Sequence, residues 1–139
     1  MVKEVTLDSS VLVSAFVKGD KFRAKARRII EKVFSGEFRV VTSAIVFVEV
    51  CGSISRRVGA DKALLVKDQL VKWDNMNFIG WSELTGKRMG EAAELAVKLK
   101  LRGMDAIVVQ VAREKKRSLI TFDEEMAGKA KAAVEVFTH

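Results

Sequence analysis

A chain of 139 residues can bury one substantial core and is too short for two ordinary domains, so residues 1–139 read as a single unit. With 49% hydrophobic and 31% charged residues, no proline, no basic leader and no uncharged stretch near the N-terminus longer than residues 9–17, the sequence lacks both a membrane span of roughly 20 apolar residues and a signal peptide, and a cytoplasmic globular protein is expected. One cysteine, Cys51, and one histidine, His139, argue against disulfides, thiol redox pairs, His-based zinc catalysis and Ser-His-Asp triads, while a net charge of +7 points toward a polyanion such as nucleic acid.

Along the chain, residues 5–8 (VTLD) predict a short strand and residues 10–17 a helical segment that stops near Gly19. Residues 22–34 set Phe22, Ala26, Ile29, Ile30 and Val33 at helical spacing, with Gly36 as the stop, and residues 38–42 predict the second strand. Ser43 is placed to cap a helix running toward Arg57, although the density of Val and Ile there equally allows a long buried strand. Residues 63–73 predict a helix with Leu64, Val66, Leu70 and Val71 facing inward, followed by a strand over 77–80. From Ser82 a further helix draws its inner face from Leu84, Met89, Ala93, Leu95, Ala96 and Leu99. Past Gly103 comes an apolar segment over 106–113, then a strand over 118–121, a helix over 124–133 and a last strand over 134–137. Alternating strands and helices predict an α/β fold with a parallel sheet and helices on both faces, whose site lies beyond the carboxyl ends of the strands.

Basic residues fall in clusters, at 18–28, 56–57, 98–102 and 113–117, which serve equally as solvated helix faces or as contacts for a phosphate backbone. Most of the 18 acidic residues sit among polar neighbours, but four lie in or against apolar runs: Asp8, Glu49, Asp105 and Asp123. Asp8 and Asp123 fall where a strand passes into a helix and can serve as N-caps, and Asp105 can answer a helix dipole. Glu49 is harder to place, because Ile45, Val46, Gly52 and Ser53 occupy the helical neighbour positions and no base stands among them. If the four converge, unit charges ~4 Å apart repel by about 4 kcal/mol at an effective dielectric near 20, so the cluster either protonates in part or recruits a cation. Oxygen ligands without His or Cys select Mg²⁺ or Mn²⁺, and carboxylate-held Mg²⁺ suits phosphodiester hydrolysis.

At these residues the sequence resembles the PIN-domain family, most closely the small VapC-type ribonucleases of toxin–antitoxin pairs. The markers are Asp8-Ser9 at the end of the first strand, the segment from Ser43 to Glu49, Gly103-Met104-Asp105-Ala106 at the start of a later helix, and Thr121-Phe122-Asp123 at the end of the fourth strand. The resemblance implies a Rossmann-like sheet of order 3-2-1-4-5 and a helix over residues 44–57. It implies a Mg²⁺ or Mn²⁺ site formed by Asp8, Glu49, Asp105 and Asp123, with Ser9 and Thr121 as hydroxyls that orient carboxylates. It further implies cleavage of single-stranded RNA, a homodimer and a cognate antitoxin protein. One departure is that Gly103 is separated from Asp105 by Met104 alone, with Arg102 in the more usual glycine position. Within the four, Asp8 and Asp105 are expected to hold the metal most directly, and Glu49 and Asp123 to complete the cage or position the attacking water.

Other readings stay open. One is a non-catalytic module that keeps the fold and binds RNA or protein through its basic surface, and another a housekeeping RNA-processing nuclease. A third is a phosphoacceptor or phosphatase domain with Asp8 as nucleophile, against which stands the absence of a second acid in Ser-Ser-Val-Leu-Val after Asp8. Trp73 and Trp81 are able to stack on bases but are expected to pack against the core.

Overall fold

The computed structural model describes residues 2–138; Met1 and His139 lie outside the described residues. Its strands are β1 (Lys3–Leu7), β2 (Phe38–Ser43), β3 (Ile79–Ser82) and β4 (Ser118–Ile120). The helices are α1 (Ser9–Phe16), α2 (Arg23–Phe34), α3 (Ala44–Val58), α4 (Ala60–Asn75), α5 (Gly86–Leu99), α6 (Gly103–Glu114) and α7 (Glu124–Ala130). The sheet is parallel throughout, in the order β3-β2-β1-β4, with Val5 opposite both Val40 and Ser118. A fifth strand, expected over 134–137, is reduced to one parallel bridge between Leu119 and Val136. The bridge is made by the Leu119 N–H on the Glu135 carbonyl and the Phe137 N–H on the Leu119 carbonyl, each at 2.8 Å. With only three residues, β4 has little further edge to offer.

Central strands of a parallel sheet are covered on both faces, and the buried positions are Val5, Thr6 and Leu7 in β1 and Phe38, Val40, Thr42 and Ser43 in β2, with Lys3, Glu4 and Arg39 at less buried ones. Both buried threonine hydroxyls are satisfied by the neighbouring strand: Thr6 donates to the Val41 carbonyl and Thr42 to the Leu7 carbonyl, both at 2.8 Å. Residues 44–57 are helical: Ser43 accepts the Ile45 N–H as the cap, and Val46, Val50 and Ile54, four residues apart, are fully buried. Gly59, at φ +117°, lies in the region that disfavours a side chain and turns α3 into α4.

Several boundaries differ from the sequence expectation for local reasons. β3 starts two residues later than expected because Asn77 takes a left-handed φ of 59° and the Phe78 N–H closes onto the Trp73 carbonyl, which ends α4. Ser82 belongs to β3, and α5 begins after Thr85, whose hydroxyl accepts the Arg88 N–H. α7 stops at Ala130 rather than 133. In α4 the buried face is Ala63, Val66, Leu70 and Trp73, so Leu64 and Val71, each one residue out of phase, are 59% and 43% exposed instead of inward. Met89 and Ala93 likewise face solvent, while α5 buries Ala92 and Leu95. Among the described residues no helix is long and apolar enough to cross a membrane.

A polar clamp joins α5 to α6. The Arg88 guanidinium donates to both Glu114 carboxylate oxygens at 2.9 and 3.0 Å and to the Glu83 carbonyl at 2.8 Å, and the buried Gln110 donates to Glu114 and Glu91. The Arg88 hydrogen bonds, and then that from Gln110, lower the Glu114 carboxyl to about 2. A depressed carboxyl pKa contributes stability that is present above the unfolded value near 4.5 and lost as pH falls toward 2. Glu114→Gln is therefore expected to lower stability by about 1 kcal/mol at pH 7, solvent screening holding the figure down, and to flatten the loss between pH 4.5 and 2. Urea denaturation of both chains across that range checks it, and an unchanged acid slope in the variant would refute the clamp.

Candidate active site

The carboxyl end of β1 delivers Asp8, whose N–H extends the sheet by pairing with the Ile120 carbonyl at 3.0 Å. Asp8 stands at the N-cap position of α1 yet makes no side-chain cap bond, so its carboxylate is not committed to capping. Its Oδ2 accepts instead from the hydroxyls of Ser10 and Thr121, both at 2.9 Å. Those hydroxyls in turn accept backbone N–H groups, Ser10 from Phe122 and Thr121 from Asp123, each at 3.1 Å. A hydroxyl has one proton, and both protons go to Asp8, so the 3.4 Å contact between Ser10 and Thr121 adds none. Asp8 is 6% exposed. Ser9 lines the same cleft, but the serine hydroxyl bonded to Asp8 is that of Ser10.

Asp123 caps α7, its Oδ1 accepting the Met126 N–H at 3.1 Å, while Oδ2 takes the Arg102 Nη2. Asp105 sits in the first turn of α6, and its Oδ2 accepts from the Arg102 Nε at 3.1 Å. One guanidinium thus spans both acids. Burial pushes the Asp105 carboxyl above the ordinary range; the Arg102 hydrogen bond opposes the rise, and the charges of Asp8 and Asp123 add to it. Glu49 projects from α3 with its side chain 36% exposed, and the base that approaches it is Arg56 at 3.7 Å, two helical turns on rather than one.

All four carboxylates expected from the sequence line one cleft of about 720 Å³. They share it without closing on a single point: among the described residues, no group of three or more His, Cys, Asp or Glu side chains is placed to hold a metal ion. Their all-oxygen donor chemistry fits a hard divalent cation, and the positive group that spans two of them here is the Arg102 guanidinium.

The cleft also contains Lys21 and Arg57, from two of the basic clusters, and Asp20, which the sequence did not single out. Burial pushes the Asp20 carboxyl up, but donors from the Phe22 amide, Arg57 and Ser14 outweigh it and leave the group below the usual carboxylate range. Asp20 in turn holds the Arg57 Nη2 at 3.0 Å, fixing that guanidinium on the cleft wall. A Gly-Asp turn before a basic helix gives no sign of this, since Arg57 is 37 residues away. Of the tryptophans, Trp73 is buried against Phe16 at 5.3 Å, and the half-buried Trp81 meets Phe47 edge-on.

A parallel sheet ordered β3-β2-β1-β4, flanked by helices, with acids gathered beyond the carboxyl ends of β1 and β4, defines a Rossmann-like α/β domain. The PIN domain family model matches residues 5–132, and the chain belongs to the PIN domain family. Solved structures of similar fold include VapC20 of Mycobacterium tuberculosis, described as a sarcin-ricin loop cleaving toxin. It is 21% identical with a TM-score of 0.74, the match covering 96% of this chain and 99% of that one. VapBC2 of Rickettsia felis, bound to a DNA fragment of its promoter, is 15% identical with a TM-score of 0.69, covering 96% and 97%. A toxin–antitoxin complex from Klebsiella pneumoniae is 17% identical with a TM-score of 0.62, covering 89% and 91%. At these identities the likeness is one of fold. No curated protein matches the sequence significantly.

Proposed function

We propose that this PIN-domain protein is an endoribonuclease dependent on Mg²⁺ or Mn²⁺, acting on single-stranded RNA in the cytoplasm as the toxin of a toxin–antitoxin pair. The observation that carries the reading is the placement of Asp8, Glu49, Asp105 and Asp123 in one cleft at the carboxyl ends of the central strands. A divalent cation held there supplies a Lewis acid for a phosphoryl oxygen and lowers the pKa of a bound water. Asp8 and Asp105 are the most direct ligands, Asp8 being locked in orientation by Ser10 and Thr121. Glu49 and Asp123 complete the donor set or receive the proton of the attacking water. Lys21 and Arg57 give the cleft positive charge, and the +7 chain attracts the RNA backbone toward an acidic centre that alone would repel it.

The partner part of the reading is supported by the similar structure from Klebsiella pneumoniae, described as a toxin–antitoxin complex. A homodimer belongs to it as well, and Val48, Leu64 and Leu65, exposed on α3 and α4, are apolar surface available for protein contact. Incubation of single-stranded RNA with the chain is expected to give cleavage in Mg²⁺ or Mn²⁺ and none in EDTA; cleavage untouched by chelator would sink the metal mechanism. Sequencing the cut ends then names the target and separates a toxin from a housekeeping processing enzyme. A second reading, a non-catalytic RNA- or protein-binding module, is favoured by the Arg102 bridge and by carboxylates that do not close on one point. Salt-sensitive RNA binding without cleavage over many substrates would select it.

A further inference from the structure

Three cationic side chains line the cleft, and their engagements differ. Arg57 is held by Asp20, which is not among the four acids proposed for the metal, and Lys21 lies over the Phe22 ring at 5.0 Å. Arg102 alone among the three engages two of those four, through Nε on Asp105 and Nη2 on Asp123. We propose that Arg102 is a resident counter-ion of this site, which a divalent cation must displace from Asp105 and Asp123 in order to bind. The inference rests on the metal-nuclease reading and goes beyond it, because it makes cation uptake and guanidinium release a single event.

The geometry supports a side chain built to leave. Arg102 occupies the N-cap position of α6 with an extended backbone, and its side chain is 66% exposed, so it approaches the acids from solvent and gives up little packing on turning away. The two carboxylates it bridges are the less exposed partners in both ion pairs. They come from different elements, one from the first turn of α6 and one from the residue that caps α7, and the guanidinium is what links them. A guanidinium remains charged at any working pH, so it cannot yield the site by losing a proton; it must move. Both of its bonds fall on Oδ2 atoms, and a dication on those oxygens would meet the guanidinium charge at contact range. Moving it without replacement would leave Asp105 facing the charges of Asp8 and Asp123, so the exchange of one cation for another is the favoured route. The released guanidinium stays at the cleft, where an RNA phosphate has to arrive.

Titrating Mn²⁺ into the full chain by calorimetry, at low salt and without RNA, tests this for wild type, Arg102→Ala and Arg102→Lys, each first shown folded by circular dichroism. The expected result is roughly tenfold tighter Mn²⁺ binding in Arg102→Ala, with Arg102→Lys between the two. In ¹⁵N NMR of the wild type, the Arg102 Nε–H resonance is expected to shift with Mg²⁺ in step with occupancy. Equal or weaker Mn²⁺ binding in Arg102→Ala, or an Nε–H signal indifferent to Mg²⁺ in a chain that binds it, overturns the inference and leaves the metal reading standing. Absence of Mn²⁺ binding in both wild type and Arg102→Ala overturns the two together.

Discussion

Asp105→Asn is expected to lower metal-dependent cleavage of single-stranded RNA by at least about a thousandfold while leaving the melting temperature unchanged or raised. The two halves of the result have separate causes. Asparagine keeps the shape of the side chain and an oxygen for the Arg102 Nε, so the first turn of α6 has no reason to move. It also removes a charge that burial disfavours and that Asp8 and Asp123 repel, so the metal-free fold loses a strain rather than a support. What it cannot keep is an anionic ligand, and the proposed chemistry depends on one. Initial rates in Mn²⁺, read beside a thermal melt, check both halves. Full activity in the variant would remove Asp105 from the site, and lost activity with a collapsed melt would return it to a structural role. Glu49→Gln should reduce cleavage less, because Glu49 is more exposed and has Arg56 nearby as a competing partner.

Ile120→Ala is expected to cost about 3 kcal/mol of folding stability, a large share of the 5–15 kcal/mol that holds a domain of this size. Ile120 is 0% exposed in the three-residue β4, which lies between β1 and the single bridge at Val136. Truncation there removes transfer energy and leaves a cavity in a layer that the sheet holds open on one side and the helices on the other. The same residue presents the carbonyl that accepts the Asp8 N–H, and Thr121 follows it directly, so slackening of β4 reaches the cleft. Urea unfolding measures the first effect through the midpoint at constant slope. A loss under about 1 kcal/mol would mean that the cavity collapses and that β4 is less tightly packed than its burial indicates.

How far the sequence carries can be judged from particular residues. Alternation of apolar runs with Gly stops made the α/β class legible, because a buried parallel strand and an amphipathic helix leave different periods. The expected position of the candidate site followed from the class, since Asp8 and Asp123 lie just past the carboxyl ends of β1 and β4. The choice between Ser9 and Ser10 was not legible, because adjacent serines differ only in which way the first turn of α1 points them. Nor was Asp20, whose partner Arg57 becomes a neighbour only through the fold. Glu49 looked unpaired because a search at one helical turn misses Arg56 at two. Leu64 and Val71 were read as inward because α4 carries apolar residues around much of its circumference, and only packing selects the face.

The hydroxyl of Thr121 on Asp8 joins residues 113 apart in sequence. Closing so long a loop costs more chain entropy than forming the local helices or the β1–β2 pairing, so this contact is expected to form after them. A chain still on the ribosome can carry Asp8, Glu49 and Asp105 in folded segments and yet have neither Thr121 to orient the first nor Asp123 to join the cleft. On the proposed nuclease reading, a partly made copy that lacks residues 121–123 is therefore expected to be inert toward RNA.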